Sequence, residues 1–264
     1  MFSFKFSLIT DVKLKHKVAL ITGAGSGIGQ ASALQFACEG ARIVAVDCNT
    51  SALEITRSLI EQAGGTCYAL TVDVSQEKQV QEAIATTVEV FGSLDVLFNN
   101  AGISLLKPIT KTTEAEWDSI LGVNLKGVFF GCKHAIPEMV NQGGGVIINT
   151  ASELAIGAQA LYGAYCASKG GVIAMTRALS LEWAAKGIRI NAICPGPIRT
   201  PLLQSEFDVA IDPTAEEKFV VQSIPFGRLG TPKEIARVVV FLASDDAEFV
   251  HGTSVTVDGG KTAM

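Results

Sequence analysis

Seven short runs rich in valine and isoleucine alternate with longer stretches that carry the apolar spacing of helices. The runs cover residues 17–22, 42–47, 66–72, 94–99, 145–150, 189–194 and 254–258, and the helical patterns cover 27–39, 50–63, 76–91, 113–141, 163–186 and 232–243. Because the runs are apolar almost throughout, they are typical of parallel strands buried on both faces. The alternation predicts an α/β fold: a doubly wound parallel sheet of seven strands with helices on both faces.

The domain organisation that this pattern predicts is simple. The chain has 264 residues, of which 48% are apolar, and it contains no repeat, low-complexity tract or linker. This length is near the upper limit of one hydrophobic core, so we expect a single domain over residues 16–264. Residues 1–15 are interpreted as an N-terminal extension rich in phenylalanine. Residues 197–224 have the poorest periodicity, and we predict that they form a mobile lid.

Charge and cysteine usage exclude several classes of partner. The formal net charge is −5 with no long basic block, which argues against nucleic acid or an anionic membrane as the main partner. No apolar segment reaches the length of a transmembrane helix. The six cysteines are scattered, without a C-x-x-C pair or a nearby histidine cluster. This spacing favours reduced thiols in a cytoplasmic protein and predicts no metal site.

Tyr165, Lys169 and Ser152 form a candidate catalytic group. Tyr165 and Lys169 are four residues apart in a helical pattern, so both side chains lie on one face of the helix. A free phenol has a pKa of about 10, and a tyrosine that exchanges protons near neutral pH needs a positive charge nearby. Lys169 is placed to supply that charge, and Ser152 follows the fifth predicted strand.

The first predicted strand runs directly into a glycine-rich turn that opens a helix. Gly23, Gly27 and Gly29 follow Thr22 at a spacing that differs from the common G-x-G-x-x-G fingerprint. Glycines let backbone N–H groups approach a pyrophosphate closely, and the helix N-terminus favours an anion. The turn therefore predicts a dinucleotide site.

Asp47, at the end of the second predicted strand, indicates which nucleotide binds there. A carboxylate at this position accepts hydrogen bonds from the adenosine-ribose hydroxyls and repels a 2′-phosphate. Neither Ser26 nor Cys48 is a lysine or arginine that a 2′-phosphate would seek. These residues favour NAD over NADP.

With these motifs in place, residues 15–260 resemble the short-chain dehydrogenase/reductase family. Each motif is short, but all of them occur in order and at the spacing of the family. The matching segments are T-G-x-x-x-G-x-G at 22–29, N-N-A-G at 99–102, the asparagine of V-N-L-K-G at 124, the serine at 152, Y-x-x-x-K at 165–169, P-G-x-x-x-T at 195–200, G-R-L-G-T-P at 227–232 and V-D-G-G at 257–260.

The resemblance implies a Rossmann-like fold and hydride transfer between NAD(H) and a secondary alcohol or carbonyl compound. Tyr165 would be the general acid for reduction and the general base for oxidation. Lys169 would lower the pKa of Tyr165 and bind the nicotinamide ribose, while Ser152 would hold the substrate oxygen. Asn124 would hold a water that links Lys169 to solvent, through a local distortion of its helix.

The resemblance and the order of the motifs also imply binding residues. The cofactor would contact Gly23, Ser26, Gly27, Ile28, Gly29, Asp47, Cys48, Asp73, Val74, Asn100, Ala101, Gly102, Tyr165, Lys169, Pro195, Gly196, Ile198 and Thr200. By position, the substrate would meet Ser104, Glu153, Leu154, Tyr162, Leu202 and Phe207. Glu153 is either an acceptor for the hydroxyls of a diol or sugar, or a loop glutamate that faces solvent.

Two other functions remain open at this point. A 3-oxoacyl-thioester reductase would carry similar motifs, although Asp47 opposes the usual NADP preference of that activity. A dinucleotide-sensing protein without turnover would keep the fold, but the intact catalytic residues speak against it. The resemblance further implies a homo-oligomer, with a tetramer favoured over a dimer, and a small-molecule substrate.

Overall fold

The structure is a computed structural model that describes residues 12–263. Its seven parallel strands form one sheet in the order β3-β2-β1-β4-β5-β6-β7. The strands are β1 (Val18–Thr22), β2 (Arg42–Asp47), β3 (Thr66–Thr71), β4 (Val96–Asn99), β5 (Gly145–Thr150), β6 (Ile188–Pro195) and β7 (Ser254–Val257). The predicted doubly wound parallel sheet is therefore confirmed.

Helices cover both faces of this sheet. They are α1 (Gly27–Cys38), α2 (Thr50–Gln62), α3 (Glu77–Phe91), α4 (Glu114–Leu121), α5 (Gly127–Asn141), α6 (Gly163–Trp183), α7 (Pro201–Asp208), α8 (Pro213–Gln222) and α9 (Pro232–Ala243). Successive residues of a strand point to opposite faces. Leu97 and Ile147 accordingly belong to one core cluster, and Phe98 and Ile148 belong to the other.

The helices differ from the sequence-based expectation in two places. The single helix predicted over 113–141 is divided into α4 and α5 by a π-helical turn, Gly122–Lys126. The segment 197–224 contains α7 and α8, although its sequence lacks a clear helical period. Both helices begin with proline behind a side chain that caps them, Thr200 for α7 and Asp212 for α8. Local capping therefore defines their starts where apolar spacing does not.

The strand β3 also departs from the expectation of burial on both faces. None of its six residues is fully buried, because β3 is the edge strand and pairs only with β2. The runs at the centre of the sheet, β1 and β4, are buried throughout. Apolar composition thus identified the strands correctly, while position in the sheet decided how much of each strand is covered.

The predicted N-terminal extension lies mostly outside the described residues, which begin at residue 12. Within the described part, Leu14 is fully buried, and its backbone N–H donates to Glu39 O at 2.9 Å. Leu14 therefore packs against the domain, although it belongs to the predicted extension. The division of the chain at residue 15 stays a prediction.

The order of the strands positions the functional site. β1 pairs with β2 on one side and with β4 on the other, so the chain winds in opposite directions from this point. In open α/β sheets, ligands bind beyond the carboxyl ends of the strands at such a switch. None of the helices between residues 12 and 263 is long and apolar enough to cross a membrane.

Candidate active site

A cleft of about 1040 Å³ opens at the carboxyl ends of the central strands. Most of the residues predicted from the sequence line it. For the cofactor these are Gly23, Ser26, Gly27, Ile28, Asp47, Cys48, Asp73, Val74, Asn100, Ala101, Gly102, Pro195, Gly196, Ile198 and Thr200; for catalysis and substrate they are Ser152, Tyr165, Lys169, Glu153, Leu154, Tyr162, Leu202 and Phe207. Gly29, Ser104 and Asn124 do not line the cleft.

The glycine-rich turn fits a pyrophosphate. Gly23 has a φ of +66°, a conformation that favours glycine, and brings the chain from β1 into α1. Ser26 precedes α1 without capping it through its side chain, so this end of the helix keeps N–H groups that an anion can use. Gly29 has a different role. A β-carbon there would lie 2.0 Å from Gly23 O, so Gly29 lets α1 pack against the turn.

Asp47 lies where the sequence predicted an acceptor for ribose hydroxyls. Its carboxylate also orders the neighbouring loops, because Oδ2 accepts the Gly25 N–H and Oδ1 accepts the Asn49 N–H, each at 2.9 Å. Among the described residues, the cationic side chains that line the cleft are Lys169 and Lys261. Both are engaged elsewhere, Lys169 with the end of β5 and Lys261 with Glu153.

Thr22 and Asn100 join the ends of β1 and β4. Thr22 Oγ1 accepts the N–H groups of Asn100 at 2.9 Å and of Ala101 at 3.0 Å, while Asn100 Nδ2 donates to Thr22 O at 3.0 Å. The side chain of Asn100 therefore holds the floor of the cleft. This contact explains why a threonine precedes the glycine-rich turn.

The predicted catalytic side chains converge beside this floor. Ser152 follows β5, and its hydroxyl is near enough to Tyr165 on α6 to lower the pKa of that tyrosine against the effect of burial. Lys169, one turn further along α6, donates from Nζ to Thr150 O at 2.8 Å. Its Nζ is 5.9 Å from the centre of the Tyr165 ring. A serine, a tyrosine and a lysine thus share one buried corner of the cleft.

Burial dominates the protonation of this corner. It raises the pKa of Tyr165, and the hydrogen bond with Ser152 opposes that rise. It also lowers the pKa of Lys169 to about 8, because the ammonium loses its hydration. The carboxylates of Glu153 and Glu206 raise the pKa of Tyr165 further, and the lowering of this pKa by Lys169 stays a prediction.

Asn124 lies behind the cleft in the π-helical turn, and it is fully buried. Its side chain exchanges two hydrogen bonds with the backbone of Ile103, each 2.9 Å long, and donates to Ser168 Oγ at 3.2 Å. A β-carbon at Gly102 would lie 3.4 Å from both Asn124 Oδ1 and Lys169 Nζ. The expected distortion of this helix is therefore confirmed, and Asn124 lies close to the lysine.

Four ionisable residues of the cleft were missed by the sequence reasoning: Glu206, Asp212, Glu216 and Lys261. Lys261, near the C-terminus, forms an ion pair with Glu153 at 3.2 Å, and Glu153 Oε2 accepts the Ser152 hydroxyl at 2.9 Å. Glu206 on α7 accepts the Tyr162 hydroxyl at 2.7 Å. Glu153 is consequently buried and paired, and it does not face solvent. Neither Lys261 nor Glu206 lies in a motif, so no local signal identified them.

Comparison with known proteins agrees with this geometry. A family model described as "Enoyl-(Acyl carrier protein) reductase" matches residues 23–262. The chain is 43% identical to a cyclohexanol dehydrogenase of Acinetobacter sp. (strain SE19), over 97% of this chain and 98% of the relative. It is 41% identical to a levodione reductase of Leifsonia aquatica, over 95% and 96% of the two chains.

A solved structure titled NAD⁺-bound xylitol dehydrogenase superposes with a TM-score of 0.91 at 33% identity, covering 94% of this chain and 100% of that one. The crystal structure of levodione reductase superposes with a TM-score of 0.93 and covers 95% of this chain and 99% of that one. The chain belongs to the short-chain dehydrogenase/reductase family of oxidoreductases.

Proposed function

We propose that this protein transfers hydride between NAD(H) and a secondary alcohol or its ketone, with Tyr165 as the general acid and base. The observation that carries the proposal is the convergence of Ser152, Tyr165 and Lys169 in the cleft that Asp47 and the glycine-rich turn also line. The nicotinamide, when bound, supplies or accepts the hydride. The chain itself binds and orients the reactants and moves the proton.

In this proposal the proton passes through the Tyr165 hydroxyl. During oxidation, the deprotonated Tyr165 takes the proton of the substrate hydroxyl, and during reduction the neutral phenol returns it. Ser152 Oγ holds the substrate oxygen next to Tyr165. Because Leu154 N–H donates to Ser152 Oγ at 3.1 Å, the serine oxygen has a defined position before substrate arrives.

Lys169 and Asn124 have supporting roles in the same proposal. Burial already lowers the pKa of Lys169 to about 8, so its ammonium can lose and regain a proton near neutral pH. The ammonium would bind the ribose hydroxyls next to the nicotinamide and favour the Tyr165 phenolate there. Asn124 lies close to Gly102 and Lys169, where it would hold a water for proton exchange with Lys169.

The activity is tested by following NADH formation from a panel of secondary alcohols. Replacing Tyr165 by Phe should lower kcat/KM about 10²- to 10⁴-fold, because it removes only the hydroxyl that exchanges the proton. Binding of NADH, measured by fluorescence titration, should stay within about twofold of the wild-type protein. Unchanged turnover in this variant would contradict the role of Tyr165.

The choice of NAD over NADP follows from Asp47. Its carboxylate would repel a 2′-phosphate, and no lysine or arginine among the described cleft residues lies free to bind one. We expect Asp47→Asn to tighten NADPH binding at least about tenfold relative to NADH. The matched control is Asp118→Asn, which removes one exposed carboxylate on α4, outside the cleft. Tighter binding of NADPH than of NADH by the wild-type protein would refute this choice.

A 3-oxoacyl-thioester reductase is the second candidate, because the chain is 38% identical to a 3-oxoacyl-[acyl-carrier-protein] reductase of Thermotoga maritima, over 94% of this chain and 99% of that relative. Other relatives act, by their names, on cyclohexanol, levodione and xylitol. A panel that contains both secondary alcohols and an acetoacetyl thioester separates the two functions. Higher kcat/KM for the thioester with NADPH would favour the second candidate.

We further propose a cytoplasmic homotetramer. All six cysteines are free thiols, which suits a reducing compartment. Phe129 on α5 and Leu181 on α6 expose 45% and 84% of their surface, and paired copies of these helices would cover them. Light scattering after size-exclusion chromatography gives the assembly mass, and a monomer would contradict the proposal.

A further inference from the structure

Glu206 places a carboxylate in a cleft that also has many apolar lining residues. These include Leu106, Leu154, Leu161, Leu202, Leu203 and Phe207. The charged groups near enough to affect Glu206 are Glu153 and Lys261. Burial raises the pKa of Glu206, and the hydroxyls of Ser104 and Tyr162 beside it oppose that rise. A carboxylate in such surroundings is costly unless hydrogen-bond donors satisfy it.

The Glu206 carboxylate is held close to the proposed acid and base. The Tyr162 hydroxyl donates to Glu206 Oε2 at 2.7 Å. The Tyr162 ring packs edge-on against the Tyr165 ring, with 6.0 Å between the two ring centres. Tyr162 therefore links Glu206 to Tyr165, and the charge of Glu206 is near enough to raise the pKa of Tyr165.

Glu153 and Glu206, two of the carboxylates that line the cleft, differ in their hydrogen-bonding and ion-pair partners. Glu153 forms an ion pair with Lys261 at 3.2 Å and accepts the Ser152 hydroxyl at 2.9 Å. Glu206 forms no ion pair with any lysine, arginine or histidine in residues 12–263. An ionised carboxylate offers about four acceptor positions, so its two hydroxyl neighbours leave room for donors from a ligand.

We infer that Glu206 binds a second hydroxyl group of the substrate, and that the enzyme is therefore selective for diols or polyols over secondary alcohols with a single hydroxyl. The inference rests on the proposed function, because it places the reacting carbon at Tyr165. It concerns the far end of the substrate and involves no step of the hydride transfer. Glu206 is thus a specificity-determining residue carried by α7.

A hydroxyl suits this position better than an ammonium group does. A hydroxyl is neutral, so its burial beside Glu206 costs less desolvation than the burial of an ammonium does. Charge alone does not make this choice, because the carboxylates of Asp47, Asp73, Glu153, Asp212 and Glu216 line the cleft together with Lys169 and Lys261. A neutral donor can satisfy the carboxylate without bringing another charge into the cleft.

The test compares three neutral substrates and one cation. Butan-2-ol, butane-2,3-diol and pentane-2,4-diol present the same reacting carbinol, and the two diols add a second hydroxyl at different distances. The cation is 3-aminobutan-2-ol. We expect the wild-type protein to show a kcat/KM at least about tenfold higher for one of the diols than for butan-2-ol.

Glu206→Gln keeps the shape of the side chain but removes the strong acceptor. In this variant the ratio of kcat/KM on the preferred diol to kcat/KM on butan-2-ol should fall about 10- to 100-fold, mainly through KM for the diol. The charge of Glu206 also raises the pKa of Tyr165, and the ratio divides out that effect because it acts on both substrates. The matched control is Asp208→Asn, which removes one carboxylate from the exposed side of the same helix. Thermal melting of both variants reports whether each still folds.

Three outcomes would overturn the inference: no diol preference in the wild-type protein, an equal loss on butan-2-ol and the diol in Glu206→Gln, or a higher kcat/KM for the amino alcohol than for either diol. A failure of the proposed function would give a different experimental result. In that case the wild-type protein would oxidise none of the four compounds with either nicotinamide cofactor, and Glu206 would have no effect to measure.

Discussion

The ion pair between Lys261 and Glu153 should stabilise the fold and the catalytic serine together. Lys261 Nζ lies 3.2 Å from Glu153 Oε1, and the two side chains expose 17% and 8% of their surface. Removing one partner of a fully buried pair costs about 3–5 kcal/mol, because it leaves an unpaired charge in the interior. Lys261 is partly open to solvent, so we expect Lys261→Met to cost about 2–3 kcal/mol in the free energy of unfolding.

A double-mutant cycle isolates the interaction. Glu153→Gln leaves the more exposed Lys261 unpaired and should cost about 1–2 kcal/mol, since water still reaches part of that ammonium. In the double variant no unpaired charge remains, so its cost should be about 1–2 kcal/mol smaller than the sum of the two single costs. Urea unfolding at a fixed protomer concentration measures all three, because a bound partner chain would shift apparent stability.

A surface ion pair provides the control for this cycle. Lys133 and Glu77 form a pair whose side chains expose 48% and 41% of their surface. Lys133→Met should therefore cost about 1 kcal/mol or less. If Lys261→Met costs no more than Lys133→Met, or if the double variant is additive, the pair does not hold Glu153 and the reasoning fails.

Three further predictions concern the nucleotide turn, a helix cap and the pH dependence of stability. Gly29→Ala should weaken NADH binding more than tenfold, since a β-carbon 2.0 Å from Gly23 O displaces the turn; unchanged affinity in fluorescence titration would contradict this. Thr231→Ala removes the capping box of α9 and should cost about 1 kcal/mol in urea unfolding without altering kcat, whereas no loss would show that the cap is redundant. Because the native pKa of Lys169 is about 8 and its unfolded pKa about 10.4, the unfolded state binds more protons in between. The stability of the wild-type protein relative to Lys169→Met should therefore rise between about pH 8 and pH 10, and a flat difference would refute the lowered pKa.

Much of the fold follows from local pattern. The apolar runs at 42–47 and 145–150 coincide with β2 and β5, and the helical pattern at 232–243 coincides with α9. These elements are determined locally because a buried strand needs continuous apolar residues and a helix covering a sheet needs one apolar face. The placement of Tyr165 beside Lys169 was predictable for the same reason, because their spacing alone puts both on one face of α6.

The prediction from sequence failed where the local pattern was too short or depended on distant contacts. The helices of the segment 197–224 are only eight and ten residues long, so neither shows a full apolar period. The π-helical turn that divides α4 from α5 depends on Asn124 bonding the distant backbone of Ile103. Resemblance to a family predicted a distortion there, but the residue pattern of 113–141 indicated one unbroken helix.

The contacts of the charged groups in the cleft were decided by tertiary structure. Glu153 meets Lys261 across 108 positions of the chain, and Tyr162 meets Glu206 across 44. Contacts of this kind depend on how loops pack against the sheet, and the spacing of residues in the sequence does not predict them. Burial is also the largest cause of the pKa shifts of Tyr165 and Lys169, so these two pKa values reflect the surroundings that the folded chain provides more than their spacing in sequence.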